Sequence, residues 1–238
     1  MTGITMVAGL GAAVAGDGSR PLSVLVVLAA LSVVPFLILM LTSFVKVSVV
    51  MSILRSALGA GQIPPTQVVA GLSMLLTVFI MAPTGEAVMA AVTPVWRQGS
   101  SADLTTPAGL SVLTEAASAA KGPVQSFLKK FARTKDVEMF ASLARRLRGG
   151  DPNGTVKRDD ILVLAPAFVV SVLRRAFEMG FLIFVPFLVL DLVIANLLAA
   201  LGLQTLSPTV VALPLKLLLF VLADGWALVL RGLVGSYV

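Results

Sequence analysis

Apolar residues gather along this chain in about four long runs, separated by short breaks and one extended polar region. The longest run, residues 181–226, is interrupted by Pro186, Pro208 and Pro214. A membrane-crossing helix needs roughly 20 apolar residues, so this run is long enough for two. Gln204, Thr205, Leu206, Ser207 and Pro208 form a polar break near its middle and predict a turn. The result is a helical hairpin, one helix before Leu203 and one after Pro208. Residues 21–45 carry no charge and are also long enough to span, with a kink expected at Pro35. Residues 56–85 are again uncharged, but Gly59, Gly61, Pro64 and Pro65 break them. A helix is expected to resume over 68–81 and to stop near Pro83. That gives a first hairpin with its turn at 59–65. Residues 161–173 contain Pro166 and are too few to span alone. They can run on through Arg174 and Arg175 into 177–190.

Charges inside these runs are the first candidate functional residues. Asp191, Lys216 and Asp224 lie within the longest run, Glu178 and Arg231 flank it, and Lys46 and Arg55 belong to the first hairpin. A charge at membrane depth is costly and usually faces protein or finds a partner. A turn centred between Gln204 and Thr205 puts Asp191 level with Leu218, two residues from Lys216 or about 3 Å along the axis. The same turn puts Glu178 level with Arg231. Such pairs either pin the hairpin together or line a polar path, and pinning is the plainer reading. Lys46 and Arg55 lie nine residues apart, so they point about 180° apart on one helix. Their expected partners are acids of the second hairpin or of a neighbouring subunit.

Residues 86–160 differ in kind. They hold 11 of the 18 basic and 8 of the 12 acidic residues. Residues 98–106 read as loop. Residues 115–148 read as helix, with Phe127, Leu128 and Phe131, then Phe140, Leu143 and Leu147, at spacings of three and four. GGDPNG at 149–154 is a turn signal, and Arg145, Arg146 and Arg148 suit a helix C-terminus. This is an inserted soluble, mostly helical domain. The expected organisation is a flexible N-terminus (1–20), a first hydrophobic hairpin (21–85), this domain (86–160) and a second hydrophobic hairpin region (161–238). Ala13, Val14 and Ala15 resemble a signal-peptidase site, but no basic residue precedes them in the manner of a cleaved signal.

Composition confirms the class. The chain has 238 residues, 58% hydrophobic and 13% charged, where soluble domains are near half apolar and about a quarter charged. It is therefore an all-α integral membrane protein. The net charge of +6 then reads as an orientation signal or contact with anionic lipid, and no nucleic-acid footprint is seen. Cys and His are absent, which removes disulfides, thiolate chemistry and the commonest metal ligands and general base. No phosphate-loop or dinucleotide pattern occurs. No metal, no cofactor and no enzymatic activity are expected.

Three stretches together resemble one family. They are Leu54-Arg55-Ser56-Ala57-Leu58-Gly59 with Pro64-Pro65-x-Gln67-Val68 and Phe79-Ile80-Met81-Ala82-Pro83; Pro166-Ala167-Phe168 through Phe177-Glu178-Met179-Gly180-Phe181; and Pro214-Leu215-Lys216 through Asp224-Gly225-Trp226. Over roughly 22–236 the chain resembles the SctR/FliP family, the R subunit of the type III secretion export apparatus and its flagellar counterpart. Ser43-Phe44-Val45-Lys46 looks more like the virulence branch. The resemblance implies a homo-oligomer that assembles with small S and T subunits and other secretion-system membrane components. It implies an inner-membrane conduit for unfolded protein substrates and a periplasmic middle domain. It further implies hairpins that are tilted, broken and largely raised out of the bilayer plane in assembled complexes. Family members often place methionines in the second hairpin loop as a deformable gasket; here Leu203, Gln204, Thr205 and Leu206 would form the constriction. The first signature usually has Glu or Gln where this chain has Val172. A flagellar export role and an assembly scaffold share this fold. A small-solute transporter using Asp191, Lys216 and Asp224 as a relay is disfavoured, because no internal repeat is visible.

Overall fold

A computed structural model describes residues 32, 35–59, 64–99, 107–149, 156–203 and 205–238. The expectations for 1–20, most of the 21–45 span, most of the 98–106 and 149–154 breaks, and Gln204 lie outside those residues. Within them the chain is helical with no strand. The helices are α1 (Phe44–Leu58), α2 (Thr66–Gly99), α3 (Pro107–Phe131), α4 (Thr134–Leu147), α5 (Ile161–Ala200), α6 (Pro208–Leu222) and α7 (Gly225–Gly235). Thr66–Arg97 and Ile161–Ala200 are long and apolar enough to cross a membrane. A third such element is the pair α6 and α7, bent by 61° between them.

The chain divides into two compact units, Met1–Leu41 with Met81–Val169, and Thr42–Ile80 with Val170–Val238. In the first unit, Phe127, Leu128 and Phe131 are buried at the end of α3. The Phe127 ring lies 5.0 Å from Phe131 and 5.5 Å from Phe168. Of the second predicted triplet, only Phe140 joins the buried face of α4, where it packs against Ala141, Val156 and Val163; Leu143 and Leu147 are exposed. The expected single helix over 115–148 is two, because Arg133 takes an extended backbone before α4. No Gly or Pro marks that break. The unit's ion pairs, Lys129–Asp159 at 2.9 Å and Arg158–Glu138 at 3.5 Å, are exposed and add little stability.

The second unit is built on α1. Val47, Val50, Met51, Leu54, Ala57 and Leu58 recur at helical spacing and are all buried. They pack with Val69, Ala176, Phe187, Phe220, Val229 and Leu233. The second hairpin forms where its polar break predicts. Gly202 adopts φ +69°, its N–H donates to the Ala199 carbonyl, and the Leu203 N–H donates to Leu198. This paired pattern closes the end of α5. Pro208 opens α6, where its missing N–H costs nothing. Ile194 and Leu198 pack on Ala212 across the turn.

Two expectations change. α2 does not stop near Pro83 but runs through Pro83 and Pro94. In apolar surroundings, ending a helix strands several backbone groups, whereas a proline removes one hydrogen bond. Conversely, the single helix expected after Pro208 breaks at Ala223 and Asp224. Asp224 has φ +48°, a left-handed conformation that Asp tolerates better than most residues. A Cβ on the following Gly225 would stand 2.3 Å from the Phe220 ring, so only glycine fits there. Asp-Gly is itself a turn dipeptide.

Candidate functional site

α6 carries one charge, Lys216, and turns it inward to 4% exposure. Its Nζ donates to Asp191 Oδ2 on α5 at 2.6 Å and to the Ala57 carbonyl at the end of α1 at 3.1 Å. The last carbonyls of a helix lack intrahelical partners and form the negative end of its dipole. One ammonium therefore ties three helices together. Gly59 makes room for it: φ is +70°, and a Cβ there would meet Lys216 Nζ at 3.2 Å. The offset across the turn foresaw the Asp191–Lys216 pair. The Ala57 carbonyl and the packing role of Gly59 were not foreseen, although a glycine just past a helix end is a standard stop signal.

The second predicted pair does not form. Glu178 and Arg231 are both exposed, and no ion pair joins them among the described residues. The level-by-level argument treats the returning strand of the hairpin as one straight helix, and the 61° bend invalidates it beyond Leu222. Asp224 is exposed at that bend.

Lys46 is 3% exposed. Among the described residues, no acid of the second hairpin meets it. Its Nζ donates to Ser236 Oγ at 2.5 Å and lies 4.9 Å from the centre of the Tyr237 ring. The Ser236 hydroxyl in turn donates to the Leu233 carbonyl at 2.6 Å. Arg55 is half-buried and donates to Thr66 Oγ1 at 2.6 Å, at the start of α2. The hairpin tip is open: Leu203 is 42% and Leu206 48% exposed, and Thr205 is exposed as well.

The fold and these charges define a class: an all-helical, membrane-type protein with apolar hairpins pinned by a buried ion pair. The chain belongs to the FliP family, whose profile matches residues 27–233. It is 43% identical over 217 residues to "Virulence protein YscR" of Salmonella typhimurium, covering 91% of this chain and 97% of that one. It is 40% identical over 216 residues to "Hypersensitivity response secretion protein HrcR" of Ralstonia nicotianae, covering 90% and 96%. It is 36% identical over 220 residues to "Flagellar biosynthetic protein FliP" of Bacillus subtilis, covering 92% and 93%.

Proposed function

We propose that this chain is a core subunit of a type III protein secretion export apparatus. Several copies join small S and T subunits in the bacterial inner membrane and form the conduit for unfolded secreted proteins. Residues 86–160 face the periplasm, and Leu203, Gln204, Thr205 and Leu206 form the constriction, with leucines as the sealing side chains. The observation that carries this reading is full-length similarity to secretion proteins, 40–43% with the two virulence-type relatives against 36% with the flagellar one. The surface supports it. Phe177, Phe181, Leu182 and Leu222 are more than half exposed, and apolar patches of this kind need lipid or protein cover. Within the conduit, Asp191 and Lys216 hold the hairpin rigid behind its tip, and no charge is required to move.

The flagellar relative favours a second reading, a flagellar export gate. Deleting the gene in its own host separates the two. The virulence-type reading predicts that secretion of type III effectors falls to background while swimming motility persists. Lost motility with effector secretion intact would transfer the chain to the flagellum.

A further inference from the structure

α4 has two apolar faces, and only one of them is covered. Val137, Phe140, Ala141 and Ala144 pack into the first unit against Val156 and Val163. On the other side Met139, Leu143 and Leu147 recur every four residues and are exposed, Leu147 almost wholly at 88%. At about 100° per residue, Lys135, Met139, Ser142, Leu143, Arg146 and Leu147 fall within about 140° of the helix circumference, and all six are exposed. Single apolar side chains at a surface are ordinary, but a contiguous row rimmed by charge marks an interaction site. Met and Arg are residues that interfaces favour over bare surface.

The charges on this face have one sign. Lys135 and Arg146 frame the apolar row from the first and last turns of α4. The acids of α4 are committed elsewhere: Asp136 is buried, and Glu138 pairs with Arg158 at 3.5 Å. The helix dipole favours a base in the last turn, which accounts for Arg146, but disfavours one in the first. Lys135 therefore gains nothing from its own helix, and it joins no ion pair among the described residues. Its charge suits an acid brought from outside. A second copy of this chain is a poor source. Face to face it would set these bases against like charges, and over residues 107–169 bases outnumber acids ten to six. A lipid surface is a poor fit as well. Interfacial helices sink a broad apolar face about 5–10 Å into the headgroup boundary, whereas three side chains between two bases make a strip about as wide as one helix.

We propose that the exposed face of α4 docks an acidic amphipathic helix of a different protein. Its apolar row lies on Met139, Leu143 and Leu147, and its carboxylates meet Lys135 and Arg146. Those two bases are separated by about 16 Å along the axis, so the partner's acids stand about three turns apart. This docking rests on the reading above, in which residues 86–160 lie outside the bilayer. The test is a photo-crosslinking residue at Leu143 of the full chain in its own host, with the exposed Ser118 of α3 as control. The expected result is capture at Leu143, and not at Ser118, of a segment of another protein that carries Asp or Glu at that spacing. Lys135→Glu with Arg146→Glu lowers the yield about fivefold, and Lys at the partner's captured acids restores it. Both bases are exposed, so the reversals leave the fold intact. Capture of a second, differently tagged copy, of lipid, of a segment without acids, or of nothing would overturn the proposal, as would a yield unchanged by the double reversal. Labelling of Ser118→Cys by a membrane-impermeant maleimide from the periplasmic side checks the location separately, since the chain has no cysteine of its own. A label that enters only from the cytoplasm would sink that placement, whatever Leu143 captures.

Discussion

Asp191→Ala destabilises the protein by about 2–3 kcal/mol, more than Lys216→Met does, and the double variant regains most of the loss. Removing one partner of a buried pair typically costs about 3–5 kcal/mol, because the other charge is left uncompensated. The lower range applies here, since the Asp191 side chain is 38% exposed and that of Lys216 only 5%. The asymmetry follows from the same figures. Without Asp191, a buried ammonium keeps only the Ala57 carbonyl. Without Lys216, the remaining carboxylate has a route to water. Removing both charges leaves no uncompensated ion, and Asp191 is partly exposed, so the volume lost at alanine costs little beside the charge left unpaired in Asp191→Ala alone. Denaturation in detergent, with each variant's abundance in membranes as a second readout, checks the order. A double variant no better than Asp191→Ala would show that the pair is not what holds the helices.

Gly180→Ala destabilises, although helix propensity alone predicts a gain of about 1 kcal/mol. Gly180 lies inside α5, where alanine is the better helix former. A Cβ there would stand 2.3 Å from Ile53 Cδ1 and 3.1 Å from Ile53 Cβ and Cγ2. The Cδ1 atom can swing away. The Cβ and Cγ2 atoms of a β-branched side chain cannot, because χ1 is held in a helix. α1 and α5 must therefore separate at a point where small residues let helices approach. Overpacking of this sort costs typically about 1–3 kcal/mol and, with contacts as close as 2.3 and 3.1 Å, falls in the upper part of that range, so after the propensity gain of about 1 kcal/mol the net loss is up to about 2 kcal/mol for alanine and larger for Gly180→Leu. Ile53→Ala should rescue Gly180→Ala and leave Gly180→Leu impaired. The same denaturation assay decides it, and a stabilised Gly180→Ala would mean the helices are not in contact there.

Much of this was legible from residue order alone. The hairpin at 201–207 was announced by its polar break, and the Asp191–Lys216 pair by counting residues out from it. The first-hairpin stop at Gly59 was announced by glycine and proline. Features set by tertiary fit were hidden. Pro83 looks like a helix end because proline breaks helices in water, yet α2 continues through it. The break between α3 and α4 has no punctuating residue. The bend at Asp224 was signalled by Asp-Gly, but the apolar residues on either side masked it, and with it went the Glu178–Arg231 pair. Lys46 shows the same limit. Burial and cost were foreseeable from its position, but a hydroxyl and a ring eleven and twelve residues past Gly225 were not.

The most direct measurement is site-specific photo-crosslinking from Thr205 in cells holding a stalled secretion substrate. Thr205 is exposed at the hairpin tip, beside the two leucines assigned to the seal. The conduit account predicts a crosslink to the substrate polypeptide that disappears when the substrate is cleared. Crosslinks only to neighbouring copies or partner subunits, while probes elsewhere in the same channel capture substrate, would contradict it and leave the chain as a scaffold.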